Sequence, residues 1–340
     1  MIKRYSVFVF VVVIFSCCKK KEIGPQLLSQ VVNTETFYDV LIGCEGNFGT
    51  ANGSLSAYSS NSNELVNNFF NQINNFPLGD VVQAIELIDN DVFIVVNNSS
   101  KIERIDSATF LSVSTINGFN SPREIKKVAD GLAYVTDLYS NSIQVVDLAD
   151  NNIIDNIPVS AWTEGILVNN GFAYVSSPGA NLIYKIDVTI HQLVDSISTG
   201  NSPSNIVLDK NNDLWVACSG SWGAGNGTLE RISLSSFSTD QVIQLNASVS
   251  ELCINSELDF LYWLSDGVYK MDVDQFSYSK IIEENTGNFY GLGVHPDSED
   301  VYVTDAVDYV QSGRVFKYSG DGFILDSLLV GIIPQAIFFK

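Results

Sequence analysis

Leu132-Ala-Tyr-Val-Thr-Asp137 and Val301-Tyr-Val-Thr-Asp305 are near copies of one another, and four further segments share their pattern. These are Asp91-Val-Phe-Ile-Val-Val96, Phe172-Ala-Tyr-Val-Ser-Ser177, Asp213-Leu-Trp-Val-Ala-Cys218 and Phe260-Leu-Tyr-Trp-Leu264. Their aromatic residues, Phe93, Tyr134, Tyr174, Trp215, Tyr262 and Tyr302, follow one another at intervals of 41, 40, 41, 47 and 40 residues. A period of about 40 residues is that of a four-stranded propeller blade. The repeat therefore predicts an all-β fold, a seven-bladed β-propeller.

The remaining strands fall into place around these runs. After each one comes an alternating segment, such as Lys101-Ile-Glu-Arg-Ile-Asp106 or Leu182-Ile-Tyr-Lys-Ile-Asp187, with the period of two expected of a half-buried strand. Asp106, Asp147, Asp187 and Asp272 close these segments, where a carboxylate that accepts amides further along starts a turn. Before each aromatic run lies an inner strand, as in Gly165-Ile-Leu-Val168 or Ser204-Asn-Ile-Val-Leu208. This gives six complete blades. Tyr38 to Cys44, Gly53 to Tyr58 and Glu64 to Phe70 supply three strands of the seventh, with no inner strand ahead of them. The chain ends Pro334-Gln-Ala-Ile-Phe-Phe-Lys340, which matches the inner-strand opening Pro203-Ser-Asn-Ile. Gln335 to Lys340 is thus predicted to close the ring and cover two otherwise open edges.

Three loops between second and third strands are long: 45–53, 219–227 and 305–313. They hold Phe48, Trp222 and Tyr309 among glycines. Connections on the same face add Phe76, Phe119, Trp162, Phe289 and Tyr290. Loop aromatics suit a large flat ligand or a protein partner, or plug the loops against the blade tops. Phe48, Trp162, Trp222, Phe289, Tyr290 and Tyr309, with Arg123 for polar contacts, are the candidate ligand-binding residues. Asp305 and Asp308 read as loop solvation rather than a metal site. The glycine-rich loop 219–227 lacks the lysine of a phosphate loop. His191 and His295, the only two histidines, stand in turns, and no nucleophile is paired with a base. The expectation is a protein without catalytic residues, metal or cofactor. Cys44, Cys218 and Cys253 have no metal-ligand spacing and read as buried free thiols.

The formal charge of −21 argues against nucleic acid and anionic lipid surfaces as partners. Met1 to Arg4 is a basic opening and Ser6 to Phe15 an apolar run too short to span a bilayer. Residues 1–16 are therefore expected to be a signal peptide, 17–36 an anchor and tether, and 37–340 the propeller. Ile14-Phe15-Ser16-Cys17 resembles a lipobox, which makes Cys17 the expected acylation site and a lipid anchor the only expected contact with the membrane. Removing Lys3 and Arg4 with the leader takes the charge from −21 to −23. The Lys19-Lys20-Lys21 run leaves open which face of the outer membrane carries the anchor.

The repeats resemble YVTN/NHL-type propellers, through Tyr134-Val-Thr-Asp137 and Tyr302-Val-Thr-Asp305. The first blade, with Glu45-Gly-Asn-Phe-Gly-Thr-Ala-Asn-Gly-Ser-Leu-Ser-Ala-Tyr58, Leu78-Gly-Asp80 and Val95-Val-Asn-Asn98, is similar to the DUF5074 surface proteins. That resemblance implies a propeller lipoprotein, and some relatives capture cobalamin and cap a TonB-dependent outer-membrane transporter. A corrinoid and such a transporter are the partners it suggests. A protein-binding or adhesive scaffold and a propeller enzyme such as a lyase are the alternatives.

Mass spectrometry of membrane fractions is expected to find an N-terminal peptide that begins at acylated Cys17. A soluble protein with another N-terminus would contradict the anchor.

Overall fold

A computed structural model describes Val32 and residues 36–340 apart from 222, 224, 285 and 286. The leader, Cys17 and most of the tether lie outside the described residues. Among the described residues, twenty-eight strands form seven four-stranded antiparallel sheets, the blades of the predicted propeller. The inner strands are Pro334–Phe339, Val82–Ile88, Pro122–Ala129, Ile166–Asn169, Pro203–Leu208, Glu251–Ile254 and Phe289–Val294, for blades one to seven.

The aromatic runs are the second strands of blades two to seven, and Val40–Cys44 is that of blade one. They read as near-continuous apolar sequence because both faces are covered by neighbouring blades. Val40–Cys44 and Val301–Asp305 are buried along their whole length. Outer strands such as Gln192–Ser198 are almost wholly exposed. Third strands set a cation across from the aromatic residue: Phe93 faces Arg104, Trp215 faces Arg231, Tyr262 faces Lys270 and Tyr302 faces Lys317. The charge lies over each ring at 5.5, 6.0, 5.2 and 5.8 Å from the centroid, which covers the ring's face and favours this register.

The Thr-Asp pair of the repeat has a mechanical reading. In blade three Arg123 and Glu124 together oppose the single residue Thr136, and in blade seven Tyr290 and Gly291 oppose Thr304. These are β-bulges, which leave an amide unpaired and re-aim a side chain. Thr136 Oγ1 accepts the Glu124 amide at 3.0 Å and donates to the Glu164 carbonyl of the next blade at 2.6 Å. Thr304 does the same between Gly291 and Pro334, at 2.7 and 2.6 Å, and Ser176 fills the position in blade four. The Asp that follows accepts the amides of the incoming connection: Asn120 and Ser121 on Asp137, Asn288 on Asp305. The third-strand aspartates act as the turn-makers expected of them. Asp106, for example, accepts the amides of Ala108 and Thr109.

Ring closure follows the prediction within one residue. Pro334–Phe339 pairs antiparallel with Val40–Cys44, with Val40 opposite Phe339 and Ile42 opposite Ile337. One strand is shorter than expected. Glu64–Val66 ends early, and Phe69–Asn74 is a short helix in place of the predicted strand up to Phe70. The helix turns Phe69 and Phe70 into the core, where Phe69 meets Tyr38 and Phe110 edge-on at 4.9 Å each. A strand there would leave every second one of these bulky residues in solvent.

A chain ending at residue 333 is expected to lose its cooperative melting transition, because Val40–Cys44 and the flanks of blades two and seven would be stripped of their inner cover. An unchanged transition by calorimetry would rule out closure as a requirement for folding.

Candidate ligand site on the loop face

Stacking the seven inner strands on their shared aliphatic residue (Ile85, Ile125, Ile166, Ile206, Leu252, Leu292, Ile337) defines two columns that precede it. The first holds Gln83, Arg123, Glu164, Ser204, Ser250, Tyr290 and Gln335. The second holds Ala84, Glu124, Gly165, Asn205, Glu251, Gly291 and Ala336. Two of the small residues are obligatory. A Cβ on Gly291 would stand 2.0 Å from the Gln335 carbonyl oxygen, and one on Gly165 would stand 2.6 Å from that of Ser204. Adjacent inner strands pass too close there for any side chain.

A polar belt links the columns across six blades. Arg123 Nε donates to both carboxylate oxygens of Glu164, at 2.8 and 2.9 Å, and Nη1 donates to Gln83. Gln83 Nε2 donates to Gln335 at 3.2 Å, and Gln335 Nε2 lies 3.5 Å from Glu251 Oε1. Asn205 Nδ2 completes the belt on Glu251 Oε2 at 3.2 Å. Glu124 accepts the Ile166 amide through Oε2 at 2.9 Å. Lys126, deeper in the channel, is paired with Glu86 at 2.6 Å.

Between the belt and the loops lies a cavity of about 1060 Å³. Trp162, Arg123 and Pro178 stand on its wall with six serines: Ser202, Ser204, Ser219, Ser221, Ser248 and Ser250. Gly179 lets the Trp162 indole lie against the backbone, since a Cβ there would meet the ring at 2.6 Å. A second hollow of about 570 Å³ continues below, and Glu124, Asn205 and Leu252 line both.

Of the sequence-predicted residues, Arg123 and Trp162 line this cavity. Phe289 and Tyr290, expected on a connection, belong to the inner strand Phe289–Val294 instead. Neither is among the cavity's lining residues. Phe289 packs in the apolar cluster shared by blades six and seven, near Phe316. The Tyr290 hydroxyl donates to Glu45 at 3.1 Å, and its ring meets Tyr309 edge-on at 5.8 Å. Tyr309 and Phe48 stand on the rim of blades seven and one, Phe48 with 77% of its surface exposed. Phe119 is buried, and Phe76 packs edge-on against Phe70. Trp222 lies outside the described residues. The belt residues Gln83, Glu124, Glu164, Asn205, Glu251 and Gln335 were not singled out from the sequence. The column alignment above was the signal that could have found them.

Both histidines are tied into the frame: His191 Nδ1 meets the Tyr134 hydroxyl at 2.6 Å, and His295 Nδ1 accepts the Asp297 amide at 3.2 Å. Asp308 accepts the amides of Val310 and Gln311, a loop-forming role. Cys44 and Cys218 are buried free thiols, each pushed up to about 12 by burial. Cys253 is also free, half-buried, and raised by burial. Among the described residues no group of three or more His, Cys, Asp or Glu side chains is placed to hold a metal ion.

The architecture defines a seven-bladed propeller with a ligand-sized hollow at one end of its channel. Residues 38–319 match the sequence profile of a domain of unknown function, DUF5074, and the chain belongs to that family. No curated protein matches it. Solved structures share the fold at low identity. One is a quinoprotein alcohol dehydrogenase-like protein from Bacteroides thetaiotaomicron, 16% identical, with a TM-score of 0.70 over 87% of this chain and 78% of that one. Another is the hydrazine synthase of Kuenenia stuttgartiensis, 16% identical, with a TM-score of 0.66 over 75% of this chain and 88% of that one. A functionally unknown protein from Desulfotomaculum acetoxidans, 12% identical, has a TM-score of 0.71 over 89% of this chain and 99% of that one.

Burial pushes Glu124 up to about 7 and Glu251 to about 8, and Glu45 likewise to about 7. Each acid holds its proton more tightly folded than unfolded, so its contribution to stability is complete below about pH 4.5 and fades as pH rises through its folded value. The melting temperature is expected to fall between pH 5 and pH 8.5, and Glu124→Gln with Glu251→Gln to flatten that fall. A melting temperature that rises over this range in the parent protein would contradict the assignment.

Proposed function

We propose that this protein is a non-catalytic binding propeller that captures a large ligand in the loop-face cavity and is held at the outer membrane through acylated Cys17. The observation that carries this reading is the cavity itself. Its volume of about 1060 Å³ is at the upper end of ligand pockets, which run to about 1,000 Å³. Its wall combines one indole face with hydroxyls, amides and carboxylates.

That lining suits a macrocycle rimmed by amides, and a corrinoid handed to a TonB-dependent transporter is the ligand class we favour. Trp162 would give apolar contact to the ring, while the serines and Asn205 would bond peripheral amides. Phe48 and Tyr309, outside the cavity on the rim, are free to meet the transporter. The same exposed rim supports a second reading, a protein-binding scaffold in which the cavity stays empty. Enzymes occur among proteins of this fold, but His191 and His295 serve turns and inter-strand contacts here.

Calorimetry of the purified propeller with cobalamin, cobinamide and haem tests the reading. Binding of a corrinoid that weakens at least about tenfold in Trp162→Ala is the expected result, since one buried aromatic contact is worth about 1.4 kcal/mol or more. No heat with any of the three, at protein concentrations well above micromolar, would move the assignment to the scaffold.

A further inference from the structure

Acidic side chains outnumber basic ones inside the cavity. Three carboxylates line it, Glu124, Glu164 and Glu251, against one cation, Arg123. Arg123 is spent on Glu164 in a two-pronged ion pair. Lys126 is held by Glu86 below. Glu251 receives only the neutral amides of Asn205 and Gln335. Glu124 receives one backbone amide on Oε2, and its Oε1 has no hydrogen-bond partner among the described residues. A partly buried carboxyl without a full counter-charge holds on to its proton, and a cation brought in by a ligand can take that proton's place. The wall adds an indole, whose face attracts cations.

We propose that the cavity takes a positively charged ligand, an organic ammonium or comparable cation drawn to Glu124 and Glu251 with the indole of Trp162 beside it. This rests on the cavity being a ligand site, and it narrows the class of ligand. A corrinoid with water on its cobalt is a cation and meets the requirement, whereas the neutral cyanide-bound form does not. The chain's charge of −21 draws such ligands toward the protein as a whole. Neutral, hydroxyl-rich ligands would hydrogen-bond the serines and the acids but would gain nothing from the acids' charge.

The groups that face these acids set the pH response. Glu124 feels Lys126, Glu164 and Glu86, and Glu251 feels Glu164 and Glu124. Because burial raises both acids to about 7 and about 8, a bound cation must displace protons at neutral pH. Affinity therefore rises from pH 6 to pH 9 and binding releases protons.

Tryptamine and indole-3-acetate share a ring and differ in the sign of their charge, so they test the proposal without assuming a corrinoid. Calorimetry and saturation-transfer NMR on the full propeller are expected to show tryptamine bound at least tenfold more tightly than indole-3-acetate, with an advantage that shrinks in high salt. Heats in buffers of different ionisation enthalpy should reveal proton release. Glu124→Gln with Glu251→Gln should cost tryptamine at least tenfold in affinity and abolish the proton release, with the melting transition retained. Equal binding of the two probes, an unaffected double variant, or no tryptamine binding at millimolar concentration would overturn the proposal. If corrinoids bind and tryptamine does not, capture stands and the charge preference falls. If tryptamine binds and corrinoids do not, the charge preference stands and the corrinoid assignment falls.

Discussion

One hydroxyl in each of three blades does the work of joining that blade to the next. Thr136, Ser176 and Thr304 each accept an inner-strand amide, freed by a bulge in blades three and seven, and donate a hydrogen bond to a carbonyl of the next blade. The bulge is what turns Arg123 toward the channel, and the hydroxyl is what makes the bulge tolerable, since a buried amide left unpaired costs about 1–3 kcal/mol.

The channel inherits its chemistry from that arrangement. Seven strands present two residues each at the same height, so the belt is a ring of side chains whose neighbours come from different blades. Small residues at four of the seven places in the lower column leave room for the rest. The belt spreads one strong ion pair, Arg123 with Glu164, and a chain of neutral amides over six blades, while two acids keep only amide partners. Such a belt is polar enough to admit water and too crowded with carboxyls to be a passive lining.

The architecture was legible because the propeller writes the same blade repeatedly. Tyr134 and Tyr302 announce the second strand, and the orphan Pro334-Gln-Ala-Ile could pair only with the strand that lacked an inner neighbour. The helix Phe69–Asn74 was hidden because Phe69-Phe70 after Val66 reads as well for a strand as for a helix, and only the packing of Tyr38 and Phe110 around Phe69 decides it. The site was less legible. Aromatic residues near a loop are conspicuous in a sequence, yet Phe289 and Phe119 turned out to fill blade interfaces. The belt residues are inconspicuous singly, because nothing local marks Gln83 or Glu251 as facing a channel. Their meaning comes from the ring, which brings together residues up to 252 positions apart, as with Gln83 and Gln335.

The mixed first blade also constrains the order of events in making the protein. Val40–Cys44 emerges early, but the strand that lies beside it, Pro334–Phe339, is made only after the strands of the other six blades. Bringing such distant segments together is slow, because loop-closure entropy is lost before the contact forms. For most of synthesis the chain is an open arc with a bare edge at each end, and such edges are templates for pairing with other molecules. The position of the seam thus makes ring closure a late step, and the interval before sealing is the stage at which the chain most needs protection from its own copies.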